Sequence, residues 1–151
     1  MTITRRSMLT LSVGAAIGVV AGMRTGPAAA SADDVMAKVG EFAGGTEPAS
    51  GTISLNAPEI AENGNTVPIS VSVESPMTED DYVESVAIYA DGNPAPDVIT
   101  FNFTPMSGEA SATTRMRLAK TQNVYAVAKT STGEVFMDKK EVKVTIGGCG
   151  G

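Results

Sequence analysis

The residues best suited to chemistry in this chain lie at its end, in the stretch Val-Thr-Ile-Gly-Gly-Cys-Gly-Gly (144–151). Cys149 is the only cysteine of the 151 residues, and Gly147, Gly148, Gly150 and Gly151 flank it. Glycine is the residue that costs most entropy to order and packs least. Four of them around one thiol contribute nothing to a core and point to a flexible arm. From Ile146 to the cysteine is three residues, a reach of about 10 Å plus the side chain. The thiol is not activated by its sequence neighbours, because no adjacent Lys or Arg and no helix N-terminus lowers its pKa from about 8.5. The nearby terminal carboxylate disfavours the thiolate further. The chain contains no His, so the Ser-His and Cys-His pairs that activate most nucleophiles cannot be built from it. The chain therefore offers a thiol for covalent attachment and leaves catalysis to others, the logic of a swinging-arm carrier. No residue is assigned a catalytic role, and none a metal.

Other clusters read more plainly. Glu79-Asp80-Asp81 with Glu84 could suggest calcium, but the twelve-residue ligand loop and its central glycine are missing. A solvated turn is expected there. Met36, Met77, Met106, Met116 and Met137 could serve a cuprous ion, yet without His or a nearby Cys they read as gap-filling core residues. Tyr89, Phe101, Phe103 and Tyr125 fall on strand alternation and read as core or rim packing.

The elements that must position the thiol begin after an export signal, read over residues 1–32. The segment Thr4 to Leu11, "TRRSMLTL", looks like a twin-arginine signal, with Met8 where Phe is typical and Thr10 where Lys is common. An apolar run from Met8 to Val20 follows, too short and weak to span a membrane. Ala28-Ala29-Ala30-Ser31-Ala32 offers an Ala-x-Ala cleavage site, and with no cysteine beside it a lipid anchor is not expected. Removing 1–32 takes away Arg5, Arg6 and Arg24 and no acid, so the net charge moves from −6 to −9. So acidic a surface argues against nucleic acid and anionic membranes as partners. The expectation is a soluble periplasmic protein. A lone thiol in that oxidising compartment reads as intermolecular pairing or deliberate reactivity.

Residues 33–51 are expected to form a short helix and a linker. Asp33 and Asp34 stand where a cap and a favourable first-turn charge belong, Val35, Val39 and Phe42 share a face, and Gly44-Gly45 stops the helix. From Thr52 the period becomes two. Val67, Ile69, Val71 and Val73 alternate with polar residues in a strand placed near an edge by Pro68. Val86, Ile88 and Ala90 share a face, as do Ile99, Phe101 and Phe103. Met116 and Leu118 point inward between Arg115 and Arg117, and Val142, Val144 and Ile146 alternate at the end. Turn signals in "ENGN", "DGNPAP", "SGE" and "STGE" separate the strands. Six or seven short strands over residues 52–146 predict an all-β fold, an immunoglobulin-like antiparallel β-sandwich with a short N-terminal helix. Residues 147–151 then leave the last strand as a flexible C-terminal tail.

The closing pentapeptide Gly147 to Gly151, the signal, the sandwich and the segment "VPISVSVESPM" (67–77) together resemble the SoxY family, substrate-carrier subunits of the sulfur-oxidation system. The resemblance implies that Cys149 is the attachment site for sulfur intermediates and that Gly147, Gly148, Gly150 and Gly151 form its arm. It implies a heterodimer with a SoxZ-like subunit and export of both together. It also implies that a haem-containing c-type cytochrome joins thiosulfate to the cysteine and a dimanganese hydrolase releases sulfate. In complete systems a molybdenum-haem sulfane dehydrogenase oxidises the remaining sulfur. These cofactors belong to the partners, and the resemblance implies none for this chain.

A competing reading is a structural periplasmic immunoglobulin-like module joined to another chain by a Cys149 disulfide. An autonomous thiol enzyme is disfavoured, since no activating base is visible.

Overall fold

The computed structural model describes residues 28–148. The twin-arginine segment, Cys149, Gly150 and Gly151 lie outside the described residues.

Helix α1 (Ala32–Ala43) is capped by Ser31 rather than by Asp33 or Asp34. The amide of Asp34 donates to the Ser31 hydroxyl at 3.2 Å, and the Asp34 carboxylate accepts from the Ser31 amide and hydroxyl at 2.8 and 2.7 Å. This reciprocal box satisfies two donors that the first turn would otherwise leave unpaired. Those bonds hold the Asp34 carboxyl below its usual range. At the far end Gly44 adopts φ +64°, the left-handed conformation that ends the helix.

Eight strands follow: β1 (Ile53–Asn56), β2 (Ile60–Asn63), β3 (Val67–Val73), β4 (Val83–Ala90), β5 (Asp97–Asn102), β6 (Ala110–Met116), β7 (Gln122–Thr130) and β8 (Val135–Ile146). They form a three-stranded sheet, β1-β3-β6, facing a five-stranded sheet, β2-β8-β7-β4-β5. The sandwich read from the strand rhythm is therefore present, with two differences. The short strands β1 and β2 carry too few alternating residues to stand out in the sequence. And β2 runs parallel to β8, while every other strand pair is antiparallel.

Pro68 is accommodated for the reason its residue type demands. Strand β3 is central in its sheet, but the pairing with β1 ends at Asn56 and Ser70. Around Pro68 only β6 runs alongside, in register with Arg115. The position is an edge locally, where a missing donor costs no ladder bond.

The alternating residues of both sheets build the main core, including Leu55, Ile69, Val71, Val86, Ile88, Val124 and Val142. Strands β4 and β7 are buried on both faces, because α1 lies on the other side of their sheet. Val35, Val39 and Ala43 pack there on Ala87, Tyr89, Tyr125, Val127 and Val135. A helix of 12 residues is marginal alone. Burial of Val35 and Val39 stabilises it here by about 1.5–3 kcal/mol each. Beneath the helix, Tyr125 donates to Asp91 at 3.1 Å. Burial, then the Asp91 charge and that hydrogen bond, push its phenol up to about 12.

Strand β8 runs out of the core at its end. Val142 is fully buried, Val144 half-buried, and Ile146 is 66% exposed rather than inward as its alternation predicts. The reason is pairing: β7 accompanies β8 only as far as Val142, and the last four residues have β2 alone beside them.

Candidate functional site

The end of β8 is where the arm starts, and three backbone segments meet there. The amide of Gly64 donates to the carbonyl of Ile146 at 2.7 Å. The amide of Leu118 donates to the carbonyl of Gly64 at 2.8 Å, and the amide of Gly148 donates to the carbonyl of Leu118 at 2.9 Å. Gly64 follows β2 in the larger sheet, and Leu118 follows β6 in the smaller one. The root of the arm is thus braced by both sheets.

The glycines make this possible by close approach, not by unusual backbone angles. A Cβ on Gly64 would overlap the Leu118 carbonyl oxygen and come within 2.7 Å of the Gly148 nitrogen. A Cβ on Gly147 would overlap the Ala119 carbonyl oxygen, and one on Gly148 would lie 2.7 Å from the Gly64 oxygen. Each is closer than real side chains come to backbone. Gly148 is buried against these neighbours. Of the two glycines that precede the cysteine, Gly148 is buried and Gly147 is exposed but lies close against the Ala119 carbonyl, a role that their residue type alone does not distinguish from free flexibility.

The loop that carries Leu118 and Ala119 is itself fixed from inside. Asn93 and Gln122 are 4% and 5% exposed. The Asn93 amide donates to the carbonyl of Arg117 at 2.9 Å, and its Oδ1 accepts from the Ala119 amide at 3.0 Å and from Gln122 Nε2 at 2.9 Å. Gln122 Nε2 also donates to the Lys120 carbonyl at 3.0 Å, and its Oε1 accepts from the Gly92 amide at 2.8 Å. Every polar atom of this pair is used, as burial requires. From sequence Gly64 and Asn93 read only as turn residues, in "ENGN" and "DGNPAP", and Gln122 falls in no motif. The structure brings Gly64 and Asn93 to the arm root together. Burial of an amide side chain leaves no periodic signal by which sequence could have found it.

The remaining sequence candidates do not join this site. Glu79 and Asp80 are exposed and Asp81 half-buried in a turn closed by Thr78, whose hydroxyl accepts from the Asp81 amide at 3.2 Å. Among the described residues, no three His, Cys, Asp or Glu side chains gather as a metal site would need. The methionines divide. Met77 and Met116 are core, Met137 packs near the helix, and Met36 and Met106 are 45% and 96% exposed, so these two fill no gap. Tyr89 and Tyr125 lie under α1, while Phe101 and Phe103 pack on the main core.

Comparison with known proteins gives this geometry its context. The family model for sulfur oxidation protein SoxY matches residues 18–149, a span that ends on the cysteine. The chain belongs to the SoxY family. The structure of the sulfur carrier protein SoxY from Chlorobium limicola f thiosulfatophilum is similar, with 32% identity and a TM-score of 0.63, covering 77% of this chain and 100% of that one. Superoxide reductase (neelaredoxin) from Ignicoccus hospitalis has 23% identity and a TM-score of 0.57, over 62% of this chain and 80% of that one. A putative superoxide reductase from Thermotoga maritima has 20% identity and a TM-score of 0.54, over 65% and 87%. At these identities the two reductases share the fold and nothing more. No curated protein matches the chain. Family membership and this structural likeness support a sulfur-oxidation carrier role for the chain.

Proposed function

We propose that this SoxY-family chain carries thiosulfate-derived sulfur covalently on Cys149 in the periplasm, after twin-arginine export and removal of the signal. The observation that carries the reading is the matched family span, which ends on the chain's sole cysteine. In the loading step the thiol gives up its proton and its sulfur bonds to the outer sulfur of thiosulfate. Two electrons leave to a haem-containing c-type cytochrome, and the product is a cysteine S-thiosulfonate. A dimanganese hydrolase then adds water across the terminal sulfur–sulfur bond, releasing sulfate and leaving a persulfide. Where a molybdenum-haem sulfane dehydrogenase is present, it oxidises that sulfur further. A SoxZ-like subunit forms the working heterodimer. The missing histidine and the unassisted thiol support this division of labour: the chain presents sulfur, and partners supply the chemistry.

Intact-mass measurement of protein taken freshly from the periplasm tests the reading. Adducts of thiosulfate or sulfane size, lost on reduction, are the expected result. A chain found only as a disulfide-linked dimer, with no small adduct, would instead favour the structural module.

A further inference from the structure

The arm of a carrier should leave the fold freely, yet its first two residues are seated. We propose that Gly64 is a positioning residue for the carrier thiol: with the Leu118–Ala119 loop it forms a seat that fixes Gly147 and Gly148 and so sets where Cys149 is presented. The proposal rests on the reading of Cys149 as the loading point.

Three observations carry it. The hydrogen bonds Gly64 to Ile146, Leu118 to Gly64 and Gly148 to Leu118 pass from one segment to the next, so the residue before the cysteine is tied to both sheets. Gly64 has no left-handed backbone that would demand glycine, and the approach of Leu118, Gly148 and the Val144 side chain leaves no room for a Cβ. The loop opposite is held by Asn93 and Gln122, buried amides with complete bonding, so that side of the seat is fixed from within. A thiol tethered at Gly148 begins about one residue, or roughly 3.5 Å, from a fixed point, against about 10 Å from Ile146. A seated root gives the arm one fixed starting point, and release of the Gly148 amide lengthens the arm.

The test compares the full exported chain with its Gly64→Ala and Gly147→Ala variants. Gly147→Ala lies outside the strands and keeps the test alive should Gly64→Ala fail to fold. The first readout is hydrogen exchange of the Gly148 amide, which needs no partner. Protection in the native chain, with exchange a few-fold to about tenfold faster in either variant, is expected. Protection absent from the native chain overturns the seat. The second readout separates positioning from exposure. Tetrathionate, a small probe, loads the cysteine by displacement of thiosulfate and should react within about twofold across all three chains. Loading from thiosulfate by the haem-containing partner should fall about tenfold in the variants through a raised KM. Unchanged partner loading in both variants overturns the proposal and leaves the carrier reading intact. A native chain that no partner loads overturns the carrier reading, while the seat is still judged by exchange.

Discussion

The Gly148 amide donates to the Leu118 carbonyl at 2.9 Å, one residue before the only cysteine in the chain. A single backbone hydrogen bond contributes about 0.5–1.5 kcal/mol net, a preference of a few-fold to about tenfold. That is enough to favour one presentation of the arm and too little to prevent its release. The fold therefore supplies a defined starting point, and the glycines supply the ease of leaving it.

Cys149→Ser should fold and be exported like the parent, with an unchanged thermal midpoint, and should abolish thiosulfate oxidation in a reconstituted system. Serine oxygen forms no stable bond to thiosulfate sulfur, so no intermediate can be held. Full turnover by the variant would refute the carrier role.

In a chain that retains Ser31, Ser31→Ala should destabilise the protein by about 1 kcal/mol, read from urea unfolding, because the variant loses one half of the cap on α1. The same bond bears on processing. A chain cleaved after Ala30 keeps Ser31 and its cap, whereas one cleaved after Ala32 loses both. Purified chains beginning at Ser31 and at Asp33 should differ by a similar amount, and equal stability would show that the cap contributes nothing.

Alkaline pH should destabilise the protein through Tyr125. Its phenol is raised from 10.0 to about 12 in the fold, so the folded state holds its proton where the unfolded chain has lost it. The stability this contributes is complete below about pH 10 and disappears as pH rises towards 12. Tyr125→Phe should flatten the fall in urea midpoint between those values. A slope identical to the parent's would exclude Tyr125 as the cause.

Asn93→Ala should cost about 1–3 kcal/mol, because it strands the Ala119 amide, the Arg117 carbonyl and Gln122 without their partner. The loss should appear both in the urea midpoint and as faster exchange of the Ala119 amide. A variant as stable as the parent would mean that water replaces the side chain.

Much of the fold was legible because it follows from period alone. Val67, Ile69, Val71 and Val73 alternate and are all buried, as a two-residue repeat facing one core must be. The helix was legible from Val35 and Val39, though its cap was misplaced: Ser31 and Asp34 act at a spacing of three that two adjacent aspartates obscured. Strands β1 and β2, four residues each, were not legible, since their place depends on partners distant in the chain. The outward turn of Ile146 had no local cause either.

The sequence by itself determined what the protein can offer: one thiol between glycines, no histidine to activate it, and a β-rich body ahead of it. Those are facts of composition and spacing, and no folding changes them. Only the tertiary structure decided how the arm begins. It brings Gly64, Leu118 and Gly148 together from three positions far apart in the chain, and contact between backbones at that separation leaves no trace in the residue types except an absence of side chains. A glycine required by close approach and a glycine chosen for freedom read alike until their neighbours are known.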